Sequence, residues 1–252
     1  MIKRFLLYFV LLIALSLILS SCKKDEEDQP TDVQVSFQMM HYAGSEEVEF
    51  DNITYTNTFG NLYSVSRLQY FISDFRLEKA NGTEIFIDEV FYVDGTVENT
   101  LNLIPQDKIP AGDYSSVSFV FGLSEEKNVA GAFPNPPENN MEWPLALGTG
   151  YHYMKLEGKI DSSGVINNFQ AHTGPTNGNQ NFIEVTLPGS AFTVSGNEVT
   201  LFIKMDINKW WEGPNLFDLN QMTMVMGNQE IQQKLQENGG DVFVFETPVT
   251  IN

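Results

Sequence analysis

A second cysteine is missing from this 252-residue chain, so Cys22 has no intrachain partner and no disulfide can staple the fold. Positive charge is scarce: 14 Lys and Arg stand against 33 Asp and Glu, a formal charge of −19. A surface so acidic repels phosphate backbones and anionic lipid headgroups, which excludes nucleic acid as a partner. Catalytic signatures are absent as well. There is no phosphate-cradling glycine loop, no Gly-x-Ser-x-Gly elbow, no His-Glu-x-x-His helix and no cysteine pair for zinc. Carboxylates are too plentiful for spacing alone to single out a glycosidase pair. The sequence therefore predicts a binding protein and not an enzyme.

Only one long hydrophobic run is present, and it sits at the N-terminus. Lys3 and Arg4 precede an apolar stretch from Phe5 to Leu19, followed by Leu19-Ser20-Ser21-Cys22. Basic, apolar and then small residues are the order of a secretory signal, and the run is short for a bilayer span of about 20 residues. The Leu-Ser-Ser-Cys end resembles the bacterial lipobox, which implies cleavage after residue 21 and acylation of Cys22. Loss of Lys3 and Arg4 would leave 12 basic residues and move the charge from −19 to −21. Residues 22–32 then form an acylated tether, whose run Lys23-Lys24-Asp25-Glu26-Glu27-Asp28 buries no apolar surface. An acidic cluster beside an acylated cysteine resembles the export signal of surface lipoproteins in Bacteroidetes-type outer membranes. The expected location is the outer membrane, facing the periplasm or the cell surface, with membrane lipid as partner through Cys22.

Residues 33–252 read as one domain. Val33, Val35, Phe37 and Met39 alternate with polar residues, as do Val117, Phe119, Phe121 and Leu123, and Val199, Leu201, Ile203, Met205 and Ile207. Further strands are expected over 63–68, 71–78, 84–93, 151–160, 181–187 and 241–247, separated by turns such as Asn81-Gly82, Asp94-Gly95, Ser163-Gly164 and Ser195-Gly196. Prolines 134, 136 and 137 make 129–140 a long loop. One helix is expected over 228–238, where Ile231 and Leu235 share a face and Gly239-Gly240 supplies the stop. The fold class is all-β: an antiparallel, Greek-key-like β-sandwich with long loops and one short helix near the C-terminus.

In a chain without paired thiols, imidazole is the side chain most suited to copper, zinc or nickel. The three histidines, His41, His152 and His172, are far apart in sequence, so only folding can bring them together. Each has an ordinary structural reading alongside the metal one.

The blocks Tyr63 to Asp74, Ile109-Pro110-Ala111-Gly112-Asp113-Tyr114, Phe119 to Leu123, Met141-Glu142-Trp143, Gly150 to Gly158 and His172-Thr173-Gly174 run in the order of the MbnP-like domain. The chain resembles that family of exported copper-binding proteins, related to the methanobactin-associated periplasmic protein, over about residues 33–250. The resemblance implies a copper ion held by histidine and by a tryptophan that a dihaem peroxidase-like partner oxidises to kynurenine. It places the tryptophan at Trp143 and the histidine at His172, with His41 as second choice and His152 last. Where family members can carry a histidine two residues after that tryptophan, this chain has Leu145.

Competing readings remain for each feature. Trp143 can be a core aromatic, and Met39, Met40, Met222, Met224 and Met226 can be packing or thioether ligands for Cu(I). Asp94, Asp113, Asp161 and Asp206 can hold calcium at turns. The functional alternative is a metal-free adaptor that docks to an outer-membrane receptor, or a lipoprotein that binds glycan through Trp143, Trp210 or Trp211.

Overall fold

The computed structural model describes residues 32–222 and 224–251; the signal, Cys22 and nearly all of the tether lie outside the described residues. Period-two alternation builds the elements. In β1 (Gln34–Ala43), Val35, Phe37 and Met39 face inward while Gln34, Gln38 and Met40 stay partly exposed. The chain continues through the short strands β2 (Glu46–Glu47), β3 (Tyr55–Thr56) and β4 (Leu62–Tyr63) to the long β5 (Arg67–Lys79) and β6 (Glu84–Asp94). After β7 (Asn102–Leu103) come β8 (Gly112–Phe121), β9 (Met154–Ser162), β10 (Val165–Thr173), β11 (Ile183–Thr186) and β12 (Phe192–Val194). Strand β13 (Glu198–Asp206), helix α1 (Gln229–Asn238) and strand β14 (Phe243–Ile251) complete the domain.

Two sheets result. The smaller runs β14-β13-β1-β2 with β7 also on β1, and the larger runs β11-β8-β5-β9-β4-β3 with β6, β10 and β12 attached to β5, β9 and β8. Among the described residues strand pairing is antiparallel with one exception, the parallel β1–β13 ladder from Gln34↔Glu198 to Tyr42↔Asp206. The sheets meet through aromatic side chains: Phe37 of β1 stacks on Phe75 of β5 with centroids 4.0 Å apart, and Phe243 of β14 lies 5.2–5.3 Å from Phe119 and Phe121 of β8. This is the all-β sandwich expected from the patterning.

Three details differ from the sequence reading. The run 63–68 is not one strand: Tyr63 ends β4, and Arg67 and Leu68 open β5, which takes in all of 71–78 and bulges at Asp74, a residue held at a φ of 56°. Around Phe71, ahead of that bulge, β5 changes partner, from β9 over residues 67–70 to β8 over 72–79. Strand β10 was not expected, and it forms a full antiparallel ladder with β9. Finally, Phe71 points away from the main core, where it gathers Leu123, Met141, Tyr151 and Tyr153 into a second apolar cluster. That outer cluster seats the loop preceding β9, and with it Trp143.

Candidate metal centre

Just before β9 the chain doubles back on itself. The N–H of Trp143 donates to Gly150 O at 2.8 Å, the N–H of His152 donates to Met141 O at 2.7 Å, and Glu142 bridges Tyr151 between them. Alternation along this short ladder sends Tyr151 and Tyr153 into the outer apolar cluster. His152 takes the opposite side, its ring 4.7 Å from that of Trp143 in an edge-to-face arrangement.

His172 arrives from β10, whose register sets it opposite Lys155 of β9. Its ring lies 5.2 Å from that of His152, again edge-to-face, so His152 stands between the other two rings. The structure thus brings together Trp143, His152 and His172. His41 is not among them: it lies in β1 of the smaller sheet, hydrogen-bonded through Nε2 to the Tyr70 hydroxyl at 2.9 Å.

Hydrogen bonds fix which nitrogen each imidazole leaves free. A carbonyl can only accept, so His152 Nδ1 donates to Met141 O at 2.9 Å and Nε2 keeps its lone pair. Burial lowers the pKa of His152 to about 3, against the opposing pull of the Met141 hydrogen bond. His172 Nε2 donates to Glu157 Oε1 at 2.8 Å, which leaves Nδ1 for another partner. The same oxygen accepts from Arg67 Nη1 at 2.8 Å. The bond from His172, followed by the charge of Arg67, holds the Glu157 carboxyl below its usual range although partial burial pushes the other way.

Trp143 is clamped by backbone. A Cβ on Gly174 would sit 2.5 Å from its Cε3, and one on Gly148 would sit 3.3 Å from its Cδ1. The ring is 4 % exposed, and its Nε1 is buried without a hydrogen-bond partner. Gly174 is followed on the same strand end by a second clamp. The fully buried Gln232 of α1 donates from Nε2 to His172 O at 2.8 Å and to Val225 O at 3.1 Å, while its Oε1 accepts from Gly174 N at 3.1 Å.

Copper fits this donor set in one particular way. Among the described residues no group of three His, Cys, Asp or Glu is placed to hold a metal ion. Two imidazoles are available, and their 5.2 Å separation can be spanned by one ion with metal–nitrogen bonds of about 2 Å. An unmodified indole offers only an N–H donor and no lone pair in the ring plane. A third nitrogen at this place would have to come from a chemically altered Trp143, whose ring already lies against that of His152 and whose Nε1 is buried without a partner. Leu145, at the position where a histidine can stand, is 82 % exposed and outside this cluster.

Residues 32–228 match the family model for MbnP. The chain belongs to the MbnP family. The solved structure of MbnP from Methylosinus trichosporium shares its fold at a TM-score of 0.56 and 16 % identity, covering 79 % of this chain and 83 % of that one. No curated protein matches the sequence. The MbnP match ends at Asn228, the N-cap of α1, so the Gln232 clamp is supplied by the segment just beyond it.

Sequence reasoning missed Glu157, Arg67, Gly148 and Gln232, which carry no motif of their own. Other candidates fall outside the centre. Trp210 and Trp211 are fully buried and Trp143 nearly so, which removes the tryptophan sugar platform. The four turn aspartates cap local structure: Asp94 accepts from Gln69, Tyr92 and Thr96, Asp113 from Thr193, Asp161 from the Gly164 amide, and Asp206 from the Gly44 and Asn208 amides.

Proposed function

We propose that this chain binds one copper ion through His152 and His172, with a nitrogen of oxidised Trp143 as third ligand, and serves storage, capture or delivery of copper. The edge-to-face row of Trp143, His152 and His172 supports this reading most directly. Oxidative opening of the indole between C2 and C3, with loss of the formyl carbon, converts the ring nitrogen to an aniline amine that has a lone pair to give. The chain itself supplies the rest: Met141 O and Glu157 orient the two imidazoles, and the two glycines hold the aromatic ring in place. Bound copper would contribute a cation for which imidazole and amine nitrogen are suitable ligands.

The same proposal includes anchoring in the outer membrane through acylated Cys22 and an oxidising dihaem peroxidase-like partner. The lipobox-like Leu19-Ser20-Ser21-Cys22 supports the first, and the placement of Trp143 edge-to-face with His152, where only an altered ring could add a nitrogen ligand, supports the second.

Protein purified from its native host should show a gain of about 4 Da on the peptide containing Trp143. His152→Ala and His172→Ala should abolish tight copper binding, and Glu157→Gln should weaken it by roughly 10–100-fold through loss of the orienting hydrogen bond. His41→Ala should leave affinity intact. Wild-type copper affinity in both His152→Ala and His172→Ala would sink the assignment.

A further inference from the structure

On the outward face of β10, beside His172, lies a cavity of about 410 Å³. One wall is the polar face of the strand, Asn168, Gln170 and His172; the other is formed with three methionines, Met222, Met224 and Met226. Neither Trp143 nor His152 lines it. We propose that this cleft is a second, thioether-based site that takes a monovalent d10 cation, Cu(I).

Three observations carry the inference. Met222 packs into the core and anchors the segment, while Met224 and Met226 line the cleft across from the amides of Asn168 and Gln170 and the imidazole of His172. Met224 is 87 % exposed, so it gains almost nothing from the core, and its backbone is held in the left-handed region at a φ of 57°, where residues other than glycine are uncommon. The segment is also fastened in position: Met226 O accepts from Thr176 Oγ1 at 3.0 Å and Val225 O accepts from Gln232 Nε2 at 3.1 Å. Three methionines therefore line a cleft whose opposite wall includes an imidazole. Soft sulfur donors select Cu(I) over harder divalent ions, and the formal charge of −19 raises the local concentration of any cation.

The site goes beyond the Trp143 centre: it shares the His172 wall with it but draws its sulfur donors from Met222, Met224 and Met226, so methionine variants and His152→Ala tell the two apart. Metal-stripped full-length protein in detergent would be titrated anaerobically with Cu(I), and in parallel with Ag(I), while the methionine methyl resonances are followed by NMR. The methyls of Met222, Met224 and Met226 should shift together and saturate at one equivalent of Ag(I). Met224→Leu with Met226→Leu, which preserves side-chain volume, should remove the shifts and weaken binding by about tenfold or more. His152→Ala should keep them, even if copper binding at the Trp143 centre is lost. Unmoved methyls, or a double leucine variant that binds like the wild type, would overturn the proposal. Loss of the methyl shifts in His152→Ala would overturn it as a separate site.

Discussion

At Gly174 a single methyl group decides whether Trp143 fits. Gly174→Ala would drive a carbon into Cε3 and Cζ3 of the indole at 2.5 and 2.7 Å, and the ring has Gly148 behind its opposite edge. Overpacking of this kind costs about 1–3 kcal/mol, so urea denaturation should show a loss of that size, with copper affinity falling in parallel. A second prediction concerns acid. Burial lowers His41 to about 4, against the charge of Asp94, and lowers His152 to about 3. The unfolded chain titrates its histidines near 6.5, so between those values the unfolded state binds the extra protons and is favoured. Stability contributed by the two neutral imidazoles is complete above about pH 6.5 and declines as pH falls toward 4 and 3. Urea midpoints from pH 7 to 4 should therefore start to drop above the carboxylate range, and His41→Gln should flatten part of that slope; a level profile would contradict the burial argument. At this scale Trp143 and His172 were legible because their blocks resemble a family. Glu157 and Arg67 lie in such blocks too, yet their role was not legible, since it depends on the β5–β9 pairing that sets Arg67 opposite Glu157 and the β9–β10 register that brings His172 to the same side.

Strand β10 shows why part of the architecture stayed hidden. Its inward side carries Phe169 and Ala171, but Asn167 and Asn168 interrupt the run with residues depleted in strands, and its outward side is amide-rich. That polarity suits a strand face that is open to solvent and lines the cleft. Helix α1, by contrast, announced itself through Ile231, Leu235 and the following glycines, and Asn228 caps it by accepting from the amides of Glu230 and Ile231. What the periodicity could not reveal was that Gln232, on the same buried side, reaches the end of β10. Gln232→Ala would leave His172 O, Gly174 N and Val225 O without that partner. An expected cost of about 1–3 kcal/mol per unsatisfied buried group should register as a lower unfolding midpoint, and faster amide exchange at Gly174 should identify the strand end as the part that loosens.

For the molecule as a whole, alternating strands and turn signals were enough to predict a sandwich, while the order of strands in each sheet was not, because pairing joins residues far apart in sequence. The family match ends at Asn228, yet the remaining segment contributes the buried Leu235, Val242 and Phe243 and covers β13 with β14. Burial of each such side chain stabilises by about 1.5–3 kcal/mol, against a typical margin of about 5–15 kcal/mol for a domain. A chain cut after Asn228 should therefore lack cooperative unfolding and near-ultraviolet circular dichroism; a sharp urea transition in that fragment would refute the claim. The parallel β1–β13 ladder also imposes a timetable. Apart from the two-residue contacts with β2 and β7, β1 has no partner until Glu198 and its successors exist. Until then those short contacts alone hold the strand, and the smaller sheet can close only once residues 198–206 are free to pair with it.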